Sequence, residues 1–213
     1  MFTCLDHVTI AVPDLQQGIA QYTKMGFNMH AAGIHPGRGT HNAVAFNTGD
    51  YLELLAIRDL AEYKASRASG ATGSSLDAFI AQGGGIRQIA VQSDNLDADV
   101  VAMRGRGIDV GDAVEGGRRM ADGRELRWKT AVLGAKNPLP VFFIQHLTSL
   151  DVRRTQVPGA GAHPNGVYKL ERSYIVSNDA EAERAFAYAL AMYESSDATF
   201  EQVANLVALA DAD

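Results

Sequence analysis

Cysteine is almost missing from this chain: Cys4 is the only one in 213 residues. A single thiol can form no intrachain disulfide and cannot build a Cys-rich zinc site. A reducing compartment is therefore the expectation, and with it a cytoplasmic protein. Long apolar runs are missing as well, and no stretch approaches the roughly 20 residues that span a bilayer. No basic segment followed by an apolar run opens the sequence, so no secretory leader is expected. Positive charge is short too: 19 Lys and Arg against 25 Asp and Glu give 19 − 25 = −6. That balance lacks the field that nucleic acid or an anionic membrane surface requires. A Gly-x-Ser-x-Gly elbow, a His-Glu-x-x-His helix and a dinucleotide fingerprint are all absent.

What is present suits an ordinary globule, with 46% hydrophobic and 21% charged residues. The length gives one or two domains and enough chain for a core without staples. The 21 glycines punctuate short segments and predict many tight turns.

Residues 5–12 form a β-branched run stopped by Pro13-Asp14, which predicts a strand. Asp14 then caps a helix over residues 15–25, and Gly26 ends it. Strands follow over 27–34, 40–47 and 51–57, with the loop His35-Pro36-Gly37-Arg38-Gly39 after the first of them. The order is βαβββ. Residues 58–83 predict two short helices around a Ser/Gly/Ala segment at 69–75, and Gly83-Gly84-Gly85 marks a boundary.

The pattern then recurs, with a strand over 86–91, Asn95 as a cap and a helix over 96–104. Strands are expected near 108–114, 126–133 and 140–147. His7 falls on Gln88 (88 − 7 = 81), Asp14 on Asn95, Leu15 on Leu96 and Gly26 on Gly107. Four landmarks at one ungapped offset argue for an internal duplication. A third, partial copy opens at Leu170 (170 − 5 = 165), with a strand over 170–176, a helix over 180–192 and a last helix over 200–210. The expected organisation is a first module at 1–57, a helical connector at 58–85, a second module at 86–147, and a linker with an unfinished third unit at 148–213.

The segments Leu5-Asp6-His7-Val8, His35-Pro36-Gly37-Arg38-Gly39-Thr40-His41-Asn42-Ala43, Tyr51-Leu52-Glu53-Leu54, Leu126-Arg127-Trp128 and Pro140-Val141-Phe142-Phe143-Ile144-Gln145 carry a resemblance. So does His163-Pro164-Asn165-Gly166, ahead of the partial third copy. The chain resembles the vicinal oxygen chelate superfamily of glyoxalase-like and ring-cleaving dioxygenase-like proteins. Within it, the chain looks most like the glyoxalase-like domain group. The likeness covers residues 5–146 and extends more weakly to 189.

The resemblance implies an α+β fold. Tandem βαβββ modules form a half-open, eight-stranded, barrel-like cup, followed here by a partial βα unit. It also implies one divalent metal (zinc, nickel, manganese or iron), held from the first and fourth strands of each module. Such an ion acts as a Lewis acid on an enolate. His7 and Glu53 take the first module's ligand positions. In the second module Gln88 and, by strand content, Gln145 stand there instead. Two neutral amides make a loose site, one that can stay empty. His7 bonded to Glu53 without a metal is an equal alternative.

Glu53 is expected to face the cavity as catalytic base or ligand, since a buried carboxylate needs a partner. His41 is expected at the rim as a base or hydrogen-bond donor. His146 neighbours Gln145 and is expected on the opposite face of its strand. Arg38 on a mobile flap, Asn42, Trp128, Gln88 and Gln145 are the candidate substrate contacts. Arg118-Arg119 reads as a solvated turn. The favoured function is a glyoxalase-like lyase or isomerase acting on a small oxygenated molecule. The alternative is a protein of the same fold that binds and sequesters a planar ligand without turnover. A homodimeric scaffold, with a partner covering the edge of the incomplete third unit, ranks third.

Overall fold

The structure, a computed structural model, describes residues 2–68, 75–120, 122–134, 139–171 and 173. Strand β1 (Phe2–Ala11) ends just before Pro13, whose ring has no ladder donor to offer. Asp14 then opens α1 (Leu15–Lys24) by accepting from the Gln17 amide at 2.8 Å. Gly26 adopts φ +84°, and the Phe27 amide returns to the Tyr22 carbonyl to finish the helix. This left-handed exit consumes residues expected in a strand. Strand β2 therefore starts later, at His30–His35. It is followed by β3 (Thr40–Phe46) and β4 (Tyr51–Ile57).

Two short helices, α2 (Leu60–Ala68) and α3 (Leu76–Ala81), lead to β5 (Gly85–Ser93). Asn95 caps α4 (Leu96–Gly105) through the Ala98 amide, as Asp14 caps α1. The remaining elements are β6 (Val114–Arg119), β7 (Glu125–Val132), β8 (Val141–His146) and α5 (Leu150–Arg154). The strand expected near 108–114 does not form. Ile108 and Val110 are buried in the α4 core, and Val110 makes an isolated bridge to Leu133. The expected turn at Arg118-Arg119 is instead the end of β6.

The eight strands among the described residues join one sheet in the order β2-β3-β4-β1-β5-β8-β7-β6. Antiparallel β1 and β5 meet at its centre, with β4 parallel to β1 and β8 parallel to β5. Val8 lies opposite Ile89, which is also its copy in the duplication (8 + 81 = 89). The pairing thus has a local pseudo-two-fold: His7 faces Ala90, and Gln88 faces Thr9. Alternation gives each half its own core on the convex side. Helix α1 covers Val8, Ile10, Ala43, Ala45, Leu54 and Ala56, while α4 covers Ile89, Ala131, Val141 and Phe143. The other face curls into a cup. Its outer edges, β2 and β6, come together where the Arg118 guanidinium lies over Gly33; a Cβ at Gly33 would sit 2.9 Å from Nη1.

The chain after β8 wraps back over the first half. The Leu170 amide donates to Asp50 at 3.0 Å, and its side chain packs on the α1 core. Apart from residues 170, 171 and 173, the expected third copy and last helix lie outside the described residues. Among the described residues no helix is long and apolar enough to cross a membrane.

The loop His35-Pro36-Gly37-Arg38-Gly39 is fastened to α2 rather than free as a flap. The Gly39 carbonyl accepts from Arg58 and Asp59, and the Gly37 amide donates to Glu62 at 2.7 Å. Gly39 sits at φ +65°, and a Cβ there would approach the Tyr63 nitrogen to 2.3 Å. Gly39→Ala is expected to cost at least about 1–2 kcal/mol from the left-handed backbone alone. Gly49→Ala, with open space around it, should leave the melting temperature unchanged. Thermal denaturation of the two variants side by side checks this.

Candidate active site

A slip in the β1–β5 register builds the base of the cup. Leu5 pairs with Val91 and His7 with Ala90, leaving Asp6 as an extra residue between them. Alternation would send Asp6 to the convex side. The bulge instead sets its carboxylate beside the His7 ring, with Oδ2 2.6 Å from Nδ1. Asp6 Oδ1 lies 2.9 Å from His146 Nε2 on β8. On the other side of His7, Nε2 faces Glu53 Oε2 at 3.4 Å. Glu53 also accepts from Asn42 at 2.6 Å and from Thr9 at 3.2 Å. The result is a row, Glu53–His7–Asp6–His146, buried at His7 and Asp6 and half-buried at its two ends. The Tyr51 ring stacks on His7 at 4.4 Å, and Phe142 meets it edge-on at 5.4 Å.

Burial disfavours every charge in this row, yet the partners overrule it. Burial alone would lower the His7 pKa; hydrogen bonds and the charges of Asp6 and Glu53 raise it to about 9. Burial alone would raise Glu53; the hydrogen bond and charge of His7, aided by Asn42, lower it to about 2. Asp6 is likewise held well below the usual carboxylate range by His146 and His7, against its burial. His146 and His35 are pushed down by burial and stay neutral near pH 7. His7 is thus an imidazolium that donates from both nitrogens.

Above this row lies a cavity of about 250 Å³. His7, Glu53, Asn42, Arg38, Trp128 and Gln88 all line it, so these expected contacts share one space. Gly116 faces Trp128 across the β6–β7 ladder, and a Cβ there would lie 2.7 Å from the indole nitrogen. Glycine at that position therefore gives the indole its seat.

Two expected residues do not reach the cavity. His41 lies between Thr40 and Asn42 on β3; both of those line the cavity, so His41 projects from the opposite face. Gln145 is also turned away. Its amide accepts from Leu96 and donates to the Asp94 carbonyl, tying the start of α4 to β8. The register gives the reason: Leu52 pairs with Val8 and Val141 with Ile89, so the fourth strands are related by 141 − 52 = 89. On that count Glu53 corresponds to Phe142, not Gln145. His146 faces the cavity in its place.

The residues that sequence reasoning missed come from bulges, edges and connectors. Asp6 needed the register slip. Arg118 is 9% exposed and lines the cavity instead of sitting in a solvated turn. His35 turns inward and bonds the Thr40 hydroxyl at 2.9 Å. Arg153 on α5 and Gln156 after it close the far side. Only Asp6 and His35 carried a signal, as neighbours of motif residues.

A family model described as a glyoxalase-like domain matches residues 5–190. The chain belongs to the glyoxalase-like domain family. The family lies in the vicinal oxygen chelate superfamily, as the cup and its strand order also indicate. Among solved structures, a hypothetical protein from Staphylococcus aureus superposes with TM-score 0.60 at 18% identity, over 71% of this chain and 62% of that one. The chain thus spans less than two thirds of that protein. A variant of Streptomyces coelicolor methylmalonyl-CoA epimerase bound to 2-nitronate-propionyl-CoA gives TM-score 0.50 at 23% identity, over 70% and 100%. A methylmalonyl-CoA epimerase bound to methylmalonyl-CoA and ammonium gives 0.50 at 22% identity, over 70% and 97%. At these identities the likeness shows the fold. No curated protein matches the sequence.

The superfamily implies a divalent metal, but the residues at the four strand positions do not fit one. Two positions carry donors of ordinary strength, His7 and Glu53. Gln88 is a neutral amide, and Phe142 offers no donor. Both His7 nitrogens already face carboxylates. Among the described residues no group of three or more His, Cys, Asp or Glu could hold an ion.

Two outcomes follow. Phe142→His supplies a third strong donor and should raise zinc affinity at least about tenfold over the parent, read by competition with a chromophoric chelator. The ion pair also sets a pH window. His7 is raised from 6.5 to about 9, so its contribution to stability is complete below pH 6.5 and is lost as pH climbs to 9. Glu53 is lowered from 4.5 to about 2, so its contribution is complete above pH 4.5 and is lost as pH falls to 2. The melting temperature should peak between pH 4.5 and 6.5. In His7→Asn the decline between pH 6.5 and 9 should disappear.

Proposed function

We propose that this protein is an enzyme of the lyase or isomerase type that moves a proton on a carbon next to a carbonyl in a small oxygenated molecule. The observation that carries this reading is the Glu53–His7 ion pair, with His7 buried and Glu53 half-buried, facing a cavity and held from behind by Asp6. A charged pair drawn away from water costs stability, and such pairs with perturbed pKa values cluster at functional sites.

The pair can act as base and acid in one step. The carboxylate of Glu53 takes the proton from the carbon; that bond's electrons form the carbon–carbon double bond of an enol. His7 Nε2–H gives its proton to the carbonyl oxygen and leaves a neutral imidazole, still bonded to Asp6. The separation of 3.4 Å between Nε2 and Oε2 is slack enough for His7 to turn to a substrate oxygen. A carboxyl with a pKa of about 2 is a weak base on its own. As His7 loses its charge, the group that depressed Glu53 is gone, and the carboxylate becomes more basic while it accepts the proton. Reversal at a neighbouring atom, or loss of a leaving group, completes an isomerisation or an elimination.

The epimerases of the same fold were captured with acyl-CoA ligands. The cavity here, about 250 Å³, is below the roughly 300–1,000 Å³ that encloses a drug-sized ligand. It encloses a small acid or the reacting end of something larger.

One observation favours a second reading, capture without turnover. Gln88 and Phe142 replace acid–base residues in the second half, and Trp128 offers a flat wall. Deuterium exchange into the CH₂ group of 2-oxobutyrate, followed by NMR in D₂O, separates the two. The enzyme reading expects catalysed exchange that falls about 10²–10⁴-fold in Glu53→Gln. No exchange above the buffer rate, with a ligand bound, supports capture.

A further inference from the structure

Two arginines in the cup have no acidic partner among the described residues. Arg118 is 9% exposed and Arg153 is 7% exposed, and both line the cavity. The Arg118 guanidinium donates to the Gln156 carbonyl oxygen, a neutral acceptor. Arg153 Nε is buried and has no hydrogen-bond partner. Among the described residues, no ion pair involves either side chain. Among the described residues, Glu53 is the only carboxylate lining the cavity, and His7, Asn42 and Thr9 already occupy its oxygens. Buried guanidinium groups left in this state are strongly unfavourable unless an anion completes them.

The two arginines come from different elements of the cup. Arg118 ends β6 and feels the charge of Glu53, next to the reacting pair. Arg153 sits on α5, beside Tyr51 and His146. Gln156, two residues after the end of α5, touches Arg118 and so links the two. Arg38 adds a third cation at the mouth, on the exposed loop. A chain with net charge −6 thus concentrates positive charge on its concave face.

We propose that Arg118 and Arg153 form the binding site for the carboxylate of a small 2-oxo or related acid, presenting its adjacent carbon to Glu53. This assignment names the substrate class of the reading above and rests on it for the chemistry, but not for the binding. A carboxylate accepts the planar fork of a guanidinium through two parallel hydrogen bonds. The volume leaves room for such an acid against the Trp128 wall.

Trp128 is the only tryptophan in the chain and lines the cavity, so its fluorescence reports occupancy. The probes are 2-oxobutyrate, its methyl ester and inorganic phosphate. The acid is expected to shift the emission saturably and to bind at least about tenfold more tightly than the ester. Arg153→Gln should weaken the acid at least about tenfold and leave the ester unchanged; Arg153→Lys, which keeps the charge and loses the fork, should fall between. Glu53→Gln should still bind the acid, at least as tightly because a nearby negative charge is removed, while losing deuterium exchange. Binding without exchange in the parent protein therefore overturns the enzyme reading and leaves the anion site standing. The anion site is overturned by equal binding of acid and ester, or by phosphate binding at least tenfold more tightly than the acid. Undiminished acid binding in a folded Arg153→Gln or, if that variant does not fold, an Arg153→Lys indistinguishable from the parent overturns it too.

Discussion

The slip that leaves Asp6 unpaired in the β1–β5 ladder decides what the base of the cup can do. With strict alternation, its carboxylate would enter the apolar core beneath α1, where no partner waits. The slip brings it to His7 and His146 instead. From there the consequences run outward: His7 stays protonated, Glu53 stays ionised, and Tyr51 lies flat on the imidazolium. A matching slip occurs at the copy of Asp6, since 6 + 81 = 87 and Arg87 is the extra residue between the Gln88 and Ile86 pairs. Both halves retain the geometry, and only the first places an acid in it.

Electrostatic asymmetry is the second theme. The chain is acidic overall, and several of its outer cations are paired, such as Arg127 with Glu115 and Lys129 with Asp97. Among the described residues, the concave face holds Arg118 and Arg153, neither of which makes an ion pair. Such a distribution draws small anions inward and disfavours anionic polymers, whose phosphates need an exposed positive surface.

Much of the fold was legible because duplication is a strong signal. Asp14 and Asn95, eighty-one residues apart, cap their helices by the same bond. The first strand of each module falls where the β-branched run puts it, and His7, Glu53, Asn42 and Trp128 share the cavity. What was not legible has physical causes. Alternation is a rule of period two, so a one-residue bulge hides Asp6 from it. Counting along strand content misplaced Gln145, because eight more residues separate the fourth strands than the first strands (89 − 81 = 8). His41 was misjudged on its loop position, although the inward Thr40 and Asn42 on either side fix its face. Arg118 follows Gly116-Gly117, a pair that looks like a turn; Gly116 instead makes space for the Trp128 indole on β7. Arg153 comes from a connector that no periodicity describes.

The β2 and β6 edges are not neighbours in the hydrogen-bonded sheet, and Arg118 spans them over Gly33. In a fully closed barrel, strand number and stagger fix the diameter. Here the circumference ends in a side-chain hasp. The bore can widen or narrow by rotation about arginine bonds, without breaking a rung of the ladder. For the acid site proposed above, a scaffold fastened in this way would admit guests of different girth, and selectivity would rest on the charge and flatness of the guest more than on its length.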